Sequence, residues 1–287
     1  MFSRILVATD LSEASDCVIG SLGALRAWGT KEVVLVHCLN LCEPSMVTEE
    51  LKGFAEPYLS RQADALERQG LKTDIEVASG RTPVEINRLA EDRKCSLVVI
   101  GSHGKTMSSQ ILLGGVASEV IQNARKPVLI VRLNLRQERD RAVCGFCQMA
   151  PSGPVLFPTD FSANAELAFS TLKKIVAAGS QEVTLLHVQD QSVVSKNRLE
   201  ECNRADQERL AEMKRALEQT GATKVNVELP YGVPVREILA RVQDSAFTWV
   251  VMGSQGRSYL SEILLGNTSL NVARHSQVPV LLVPTER

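Results

Sequence analysis

The sequence repeats itself. RILVATDLSEAS at 4 to 15 aligns with PVLFPTDFSANA at 154 to 165, and EVVLVHC at 32 to 38 aligns with EVTLLHV at 182 to 188, both at an offset of 150. Farther along, SLVVIGSHG pairs with TWVVMGSQG, ILLGG with ILLGN and KPVLIV with VPVLLV, all at an offset of 152. A match that keeps its order over most of the chain with a shift of only two residues means two homologous halves of about 140 residues each, a normal size for one domain. The expected division is residues 1–135, a linker at 136–152 and residues 153–287. The stretch RLNLRQERDRAVCGFCQMAPSG at 132 to 153 is charged, then small and proline-bearing, as a connection should be.

Within each half, short Val/Ile/Leu runs alternate with longer amphipathic stretches, the signature of βαβ units around a buried parallel sheet. The expected class is α/β, with two tandem, open, doubly wound, five-stranded parallel sheets. Strands are expected near 3–8, 32–38, 73–78, 96–100 and 127–132, then near 154–158, 182–188, 223–229, 248–252 and 278–283. Ser12 and Ser162 suit the N-caps of the first helix in each half, and Pro83 and Pro234 suit the opening turn of the third. A sheet wound on both faces reverses its strand order once, and ligands sit beyond the carboxyl ends of the strands flanking that reversal. Those ends carry Thr9, Asp10 and Gly101 in one half and Thr159, Asp160 and Gly253 in the other.

Strand four of each half runs into a glycine-punctuated loop: GSHGKTMSSQILLGGVA at 101 to 117 and GSQGRSYLSEILLGNTS at 253 to 269. GSHGKT is not a P-loop, because Val99 stands where the first glycine is required. Neither half shows G-x-G-x-x-G after its first strand. What repeats is Gly-x2-Gly-x9-Gly, at Gly101, Gly104 and Gly114 and at Gly253, Gly256 and Gly266. Backbone approach without a Cβ, followed by free amides at a helix N-terminus, makes a phosphate cradle. The same glycines would also serve plain turns and a helix entry.

These residues resemble the universal stress protein family, a five-stranded α/β fold whose ATP-binding members carry Gly-x2-Gly-x9-Gly followed by Ser, Thr or Asn. The resemblance covers nearly the whole chain apart from the linker. It implies that Asp160 faces the ribose or base, with Pro158 and Thr159 beside it, and that Val188 lines the adenine pocket with Met252 close to the base. It implies that Gly253, Gly256, Gly266, Asn267, Thr268 and Ser269 hold the phosphates. The first half matches at Asp10, Gly101, Gly104 and Gly114 and then departs. Gly115 stands where a side-chain donor belongs, and Ala117 stands opposite Ser269. A hydrogen bond to a charged group is worth roughly 1.5 to 3 kcal/mol, so losing two lowers affinity about a hundredfold or more. Backbone donors remain, and Lys105, Thr106, Ser108 or Ser109 can compensate. A weaker first site is expected, and not the loss of one.

The function expected is adenine-nucleotide binding (ATP, ADP or AMP, with or without Mg²⁺) in a stress or energy signal, with at most slow ATP hydrolysis, because no base, nucleophile or paired carboxylates accompany the second loop. An enzyme acting on an adenine nucleotide and a scaffold with two vestigial sites are the alternatives. His37 and His187 sit inside apolar runs and read as core or rim residues, and His103 faces Gln255 in the repeat, which argues against a shared base. Cys144 and Cys147 form a lone C-x-x-C and Cys38 and Cys42 a C-x3-C, open to zinc, redox or plain thiol readings. The stretch 196 to 219 reads as a solvated helix with one packed face, or else a partner-binding helix.

Charge and composition narrow the partners. With 32 Lys+Arg against 33 Asp+Glu and 4% aromatic residues, neither a nucleic-acid surface nor a stacking platform is expected. Apolar runs fall short of the roughly 18 to 20 residues that span a bilayer, and MFSRILVATD enters a strand pattern at once, so a cytoplasmic protein is expected. The family implies contact between copies through the last strand, KPVLIVRL or VPVLLVPTER. An intramolecular pseudo-dimer and a homodimer are the assembly expected from that.

Overall fold

The computed structural model describes residues 1–39, 49–102, 113–132, 134–138, 141–145, 149–195, 197, 199–244, 246–256 and 267–285. It divides into two compact units, Met1–Met149 and Ala150–Arg287. In the first unit the chain runs β1 (Arg4–Thr9), α1 (Glu13–Ser21), β2 (Glu32–Leu39), α2 (Glu49–Arg68), β3 (Lys72–Ser79), α3 (Thr82–Asp92), β4 (Leu97–Gly101), α4 (Gly115–Gln122) and β5 (Val128–Val131). The charged segment after β5 forms two short antiparallel strands, β6 (Asn134–Glu138) and β7 (Arg141–Gly145). The second unit runs β8 (Val155–Pro158), α5 (Ala163–Ala177), β9 (Glu182–Leu186), β10 (Gln189–Asp190), α6 (Leu199–Thr220), β11 (Lys224–Glu228), β12 (Tyr231–Gly232), α7 (Pro234–Asp244), β13 (Trp249–Gly253), α8 (Asn267–His275) and β14 (Val280–Val283).

The ten apolar runs all form strands, within about two residues of the bounds expected. Across the first unit the order is β5, β4, β1, β2, β3, and across the second it is β14, β13, β8, β9, β11, with every pair in these two orders parallel. The reversal therefore falls between β1 and β4 and between β8 and β13. Both faces of a parallel sheet are covered, so these strands are mainly apolar, and every residue of β8 and of β13 is buried. Helices α1 and α2 contact one another, as do α3 and α4, and α7 and α8.

Local chemistry sets the helix starts. The hydroxyl oxygens of Ser12 and Ser162 accept from the amides of Ser15 and Ala165, each at 3.2 Å, so both serines cap as expected. Pro83 lies in the first turn of α3, and Pro234 is the first residue of α7, where a missing N–H breaks no helical bond. Helix α6 buries Leu210, Met213 and Leu217, the packed-face reading of that stretch, and carries most of its charged residues outward, with Asp206 turned in toward His187. Among the described residues, no helix is long and apolar enough to cross a membrane.

Candidate functional site

The turn from β8 into α5 is built by two successive side-chain bonds. Thr159 Oγ1 accepts from the amide of Phe161 at 3.1 Å, and Asp160 Oδ1 accepts from the amide of Ser162 at 3.0 Å. Such local acceptors compensate a backbone that L residues avoid: Phe161 has φ 59°, and its repeat partner Leu11 has φ 64°. Both halves hold a non-glycine residue in the left-handed region at the same place, which fixes how the preceding aspartate leaves the sheet. His187 reinforces the turn. Its Nδ1–H donates to the Thr159 carbonyl at 2.7 Å, its Nε2 lies 3.5 Å from Asp206 Oδ2, and its ring packs 4.4 Å from that of Phe161. Gln189 donates to the same Asp206 oxygen at 3.0 Å, and the Arg209 guanidinium covers Phe161 at 4.9 Å.

The exit of β13 is fastened from the other side. Gly253 lies so close to α5 that an added Cβ would sit 2.5 Å from Asn164 Oδ1 and 3.2 Å from the Asn164 backbone carbon. Asn164 accepts from the Gln255 amide at 2.8 Å and donates to the Val283 carbonyl at 3.0 Å. Ser269 donates to the Gly253 carbonyl at 3.0 Å. Gly256 then reaches the carboxylate: a Cβ there would lie 2.9 Å from Asp160 Oδ2. The structure thus brings Asp160, Gly253, Gly256 and Ser269 together at the switch point. Pro158 and Thr159 are buried beside them, as are Val188 and Met252. Asn267 is exposed and Thr268 half-buried in the first turn of α8. Gly266 lies outside the described residues.

The first unit repeats the frame with different chemistry. Thr9 Oγ1 accepts from the Leu11 amide at 3.0 Å and also donates to Gln62 Oε1 at 2.9 Å. Asp10 Oδ1 accepts from the Ser12 amide and hydroxyl and, at 2.7 Å, from the Ser15 hydroxyl. The second unit has Ala165 where Ser15 stands. His37 donates to the Thr9 carbonyl at 2.9 Å, as His187 does to Thr159. Gly101 ends β4, and Gly114 caps α4 with its amide on the Ser102 carbonyl at 3.0 Å. Gly115 is exposed and Ala117 buried. Gly104, His103, Lys105, Thr106, Ser108 and Ser109 lie outside the described residues. Sequence reasoning missed Asn164 and the Asp206 contact to His187. The first left a trace in the repeat, where Ala14 stands opposite Asn164.

Among the described cysteines, Cys95 is buried and Cys17, Cys38 and Cys202 are half-exposed. Cys17, Cys38, Cys95 and Cys202 are free thiols, and Cys42 and Cys147 lie outside the described residues, as does the Cys144 side chain. Among the described residues no cluster of three His, Cys, Asp or Glu side chains could hold a metal. Burial pushes the Cys38 thiol up to about 12, with the nearby Glu85 adding to the shift and Arg88 opposing it. Its folded value lies above the ordinary one, so the associated stability is present below pH 9 and lost as pH rises toward 12. Cys17, Cys38 and Cys202 are all half-exposed, yet at pH 8 iodoacetamide followed by peptide mass spectrometry is expected to label Cys17 and Cys202 at least about tenfold faster than Cys38, whose raised thiol leaves little thiolate. Equal rates would show that Cys38 is not desolvated.

Comparison with known proteins agrees with this architecture. The Universal stress protein family matches residues 1–132 and again residues 152–284. A universal stress protein of Methanocaldococcus jannaschii is 33% identical over 151 residues, covering 45% of this chain and 93% of that protein. One from Mycolicibacterium smegmatis is 25% identical over 309 residues, covering 97% of this chain and 96% of its own length. The crystal structure of a universal stress protein from Archaeoglobus fulgidus superposes with a TM-score of 0.74 at 28% identity, covering 98% of this chain and 96% of that one. The chain belongs to the universal stress protein family, as a member with two copies of the fold in tandem.

Proposed function

We propose that the second unit binds an adenine nucleotide, ATP, ADP or AMP with or without Mg²⁺, and that the protein uses this binding as a stress or energy signal with little or no catalysis. The observation that carries the reading is the approach of Gly256 to Asp160 at the switch point, with the start of α8 following the same loop. The aspartate is an acceptor for sugar hydroxyls, and the helix start offers amide donors to phosphates. Among the described residues the histidine of this turn, His187, is buried and commits its Nδ1 proton to the Thr159 carbonyl, which favours binding over catalysis. A net charge of -1 fits a small nucleotide better than a nucleic acid or an anionic membrane. The same reading has the protein cytoplasmic and a homodimer, and sedimentation would check the second.

Isothermal calorimetry of the full chain with ATP, ADP and AMP tests the proposal. About one strong site per chain is expected, together with ATP turnover below about 1 per second, the low end for ordinary enzymes. No heat and no thermal shift with any of the three would favour the scaffold reading. Turnover above that rate would favour an enzyme.

A further inference from the structure

We propose that Asn164 and Ser269 are positioning residues that hold the stretch 253–256 of the second unit ready for its ligand, and that Ser269 acts through Gly253 and not by donating to a phosphate. The inference rests on the nucleotide-binding reading of this site and adds to it a cause for the difference between the halves.

The chemistry of the two side chains decides their roles. A serine hydroxyl has one proton, and a backbone carbonyl can only accept. Ser269, 3% exposed, therefore commits its proton to Gly253 and has only lone pairs left, which repel a phosphate oxygen. Asn164, also 3% exposed, has its amide engaged at both ends: the nitrogen donates to Val283 at the end of β14, and the oxygen receives the Gln255 amide just past β13. Gly253 is thus held by its carbonyl on one side and pressed against Asn164 on the other. The two ties fix the stretch that carries Gly256 to Asp160.

The first unit lacks both ties at once. Ala14 stands opposite Asn164 and Ala117 opposite Ser269, and alanine has no group for either bond. Both alanines are buried, so the space is filled with the fastening removed. A loop competent for only a fraction of the time binds more weakly by that fraction, even where every ligand contact can still be made. The change from NTS to GVA then acts through preorganisation at its third position.

The test uses the full chain. Hydrogen–deuterium exchange without nucleotide should show the amides of 254–256 at least about fivefold faster in Asn164→Ala and in Ser269→Ala than in wild type, with β8 and β13 unchanged as proof of folding. ATP affinity should fall about 3- to 10-fold in each, the scale of one lost hydrogen bond. Ser269→Thr, which keeps the hydroxyl, should restore both readouts. Wild-type exchange in both alanine variants would overturn the inference, and so would unchanged affinity beside faster exchange. If Ser269→Ala weakens ATP binding with loop exchange unchanged, Ser269 touches the phosphate after all and its positioning role is refuted. Failure of wild type to bind any adenine nucleotide overturns the functional reading as well. That result is distinct from failure of this inference alone, in which wild type binds and the variants bind equally.

Discussion

Gly253→Ala is expected to abolish nucleotide binding measurable by calorimetry, a loss of about a hundredfold or more, and to lower the Tm by about 5 °C. The new methyl would meet Asn164 at Oδ1, at Cγ and, at 3.2 Å, at its backbone carbon. A side-chain end can swing away, but the backbone of α5 cannot, and Gly253 is itself held in register opposite Val283. The strand end must shift, and overpacking of this kind costs about 1 to 3 kcal/mol, or a few degrees in Tm for each kcal/mol at this size. Gly256→Ala is the informative contrast. Among the described residues its methyl would meet Asp160, closely at Oδ2, the far end of a flexible side chain. It should displace the carboxylate and weaken binding with the Tm unchanged. If Gly253→Ala binds ATP like wild type, β13 does not deliver its loop to the ligand.

Trp249→Ala is expected to be the most destabilising single change in the second unit. The side chain is fully buried at the start of β13, and its indole N–H donates to the Ala150 carbonyl at 2.7 Å. Truncating a buried tryptophan costs about 3 to 5 kcal/mol through lost transfer energy and the cavity left behind. Urea denaturation followed by far-UV circular dichroism should show the midpoint falling sharply. Trp249→Phe fills most of the volume without the donor and should recover all but about 1 to 2 kcal/mol. A loss under about 1 kcal/mol for Trp249→Ala would mean that the strand start is not packed as described.

The strands and the switch point were legible because they depend on short-range pattern. A run such as VVLV or WVVM can hardly be anything but a strand covered on both faces, and the repeat showed which runs correspond. The loop fastening was not legible in the same way. Asn164 meets Gln255 and Val283 across 91 and 119 residues of sequence, contacts that exist only once β13 and β14 are paired in register. The proton of Ser269 was similarly undecidable, since a serine at a helix start donates equally well to a phosphate or to a carbonyl. The strands β6 and β7 lacked any apolar alternation to announce them: NLRQE and RAVCG are mostly polar or small. Asp206 reaches His187 through the rotational phase of α6, which depends on how Leu210, Met213 and Leu217 seat that helix.

The hydroxyls of Ser12 and Ser15 around Asp10 bear on ligand choice. Two neighbouring hydroxyls on one carboxylate oxygen imitate the vicinal diol of a ribose, so the first unit carries an internal competitor for the group that a nucleotide sugar would use. On the nucleotide reading, any sugar must displace that surrogate before it gains a bond. In the second unit Ala165 removes the hydroxyl contributed by Ser15. The duplicated fold thus offers Asp10 two serine hydroxyls where the sequence leaves Asp160 at most the one of Ser162.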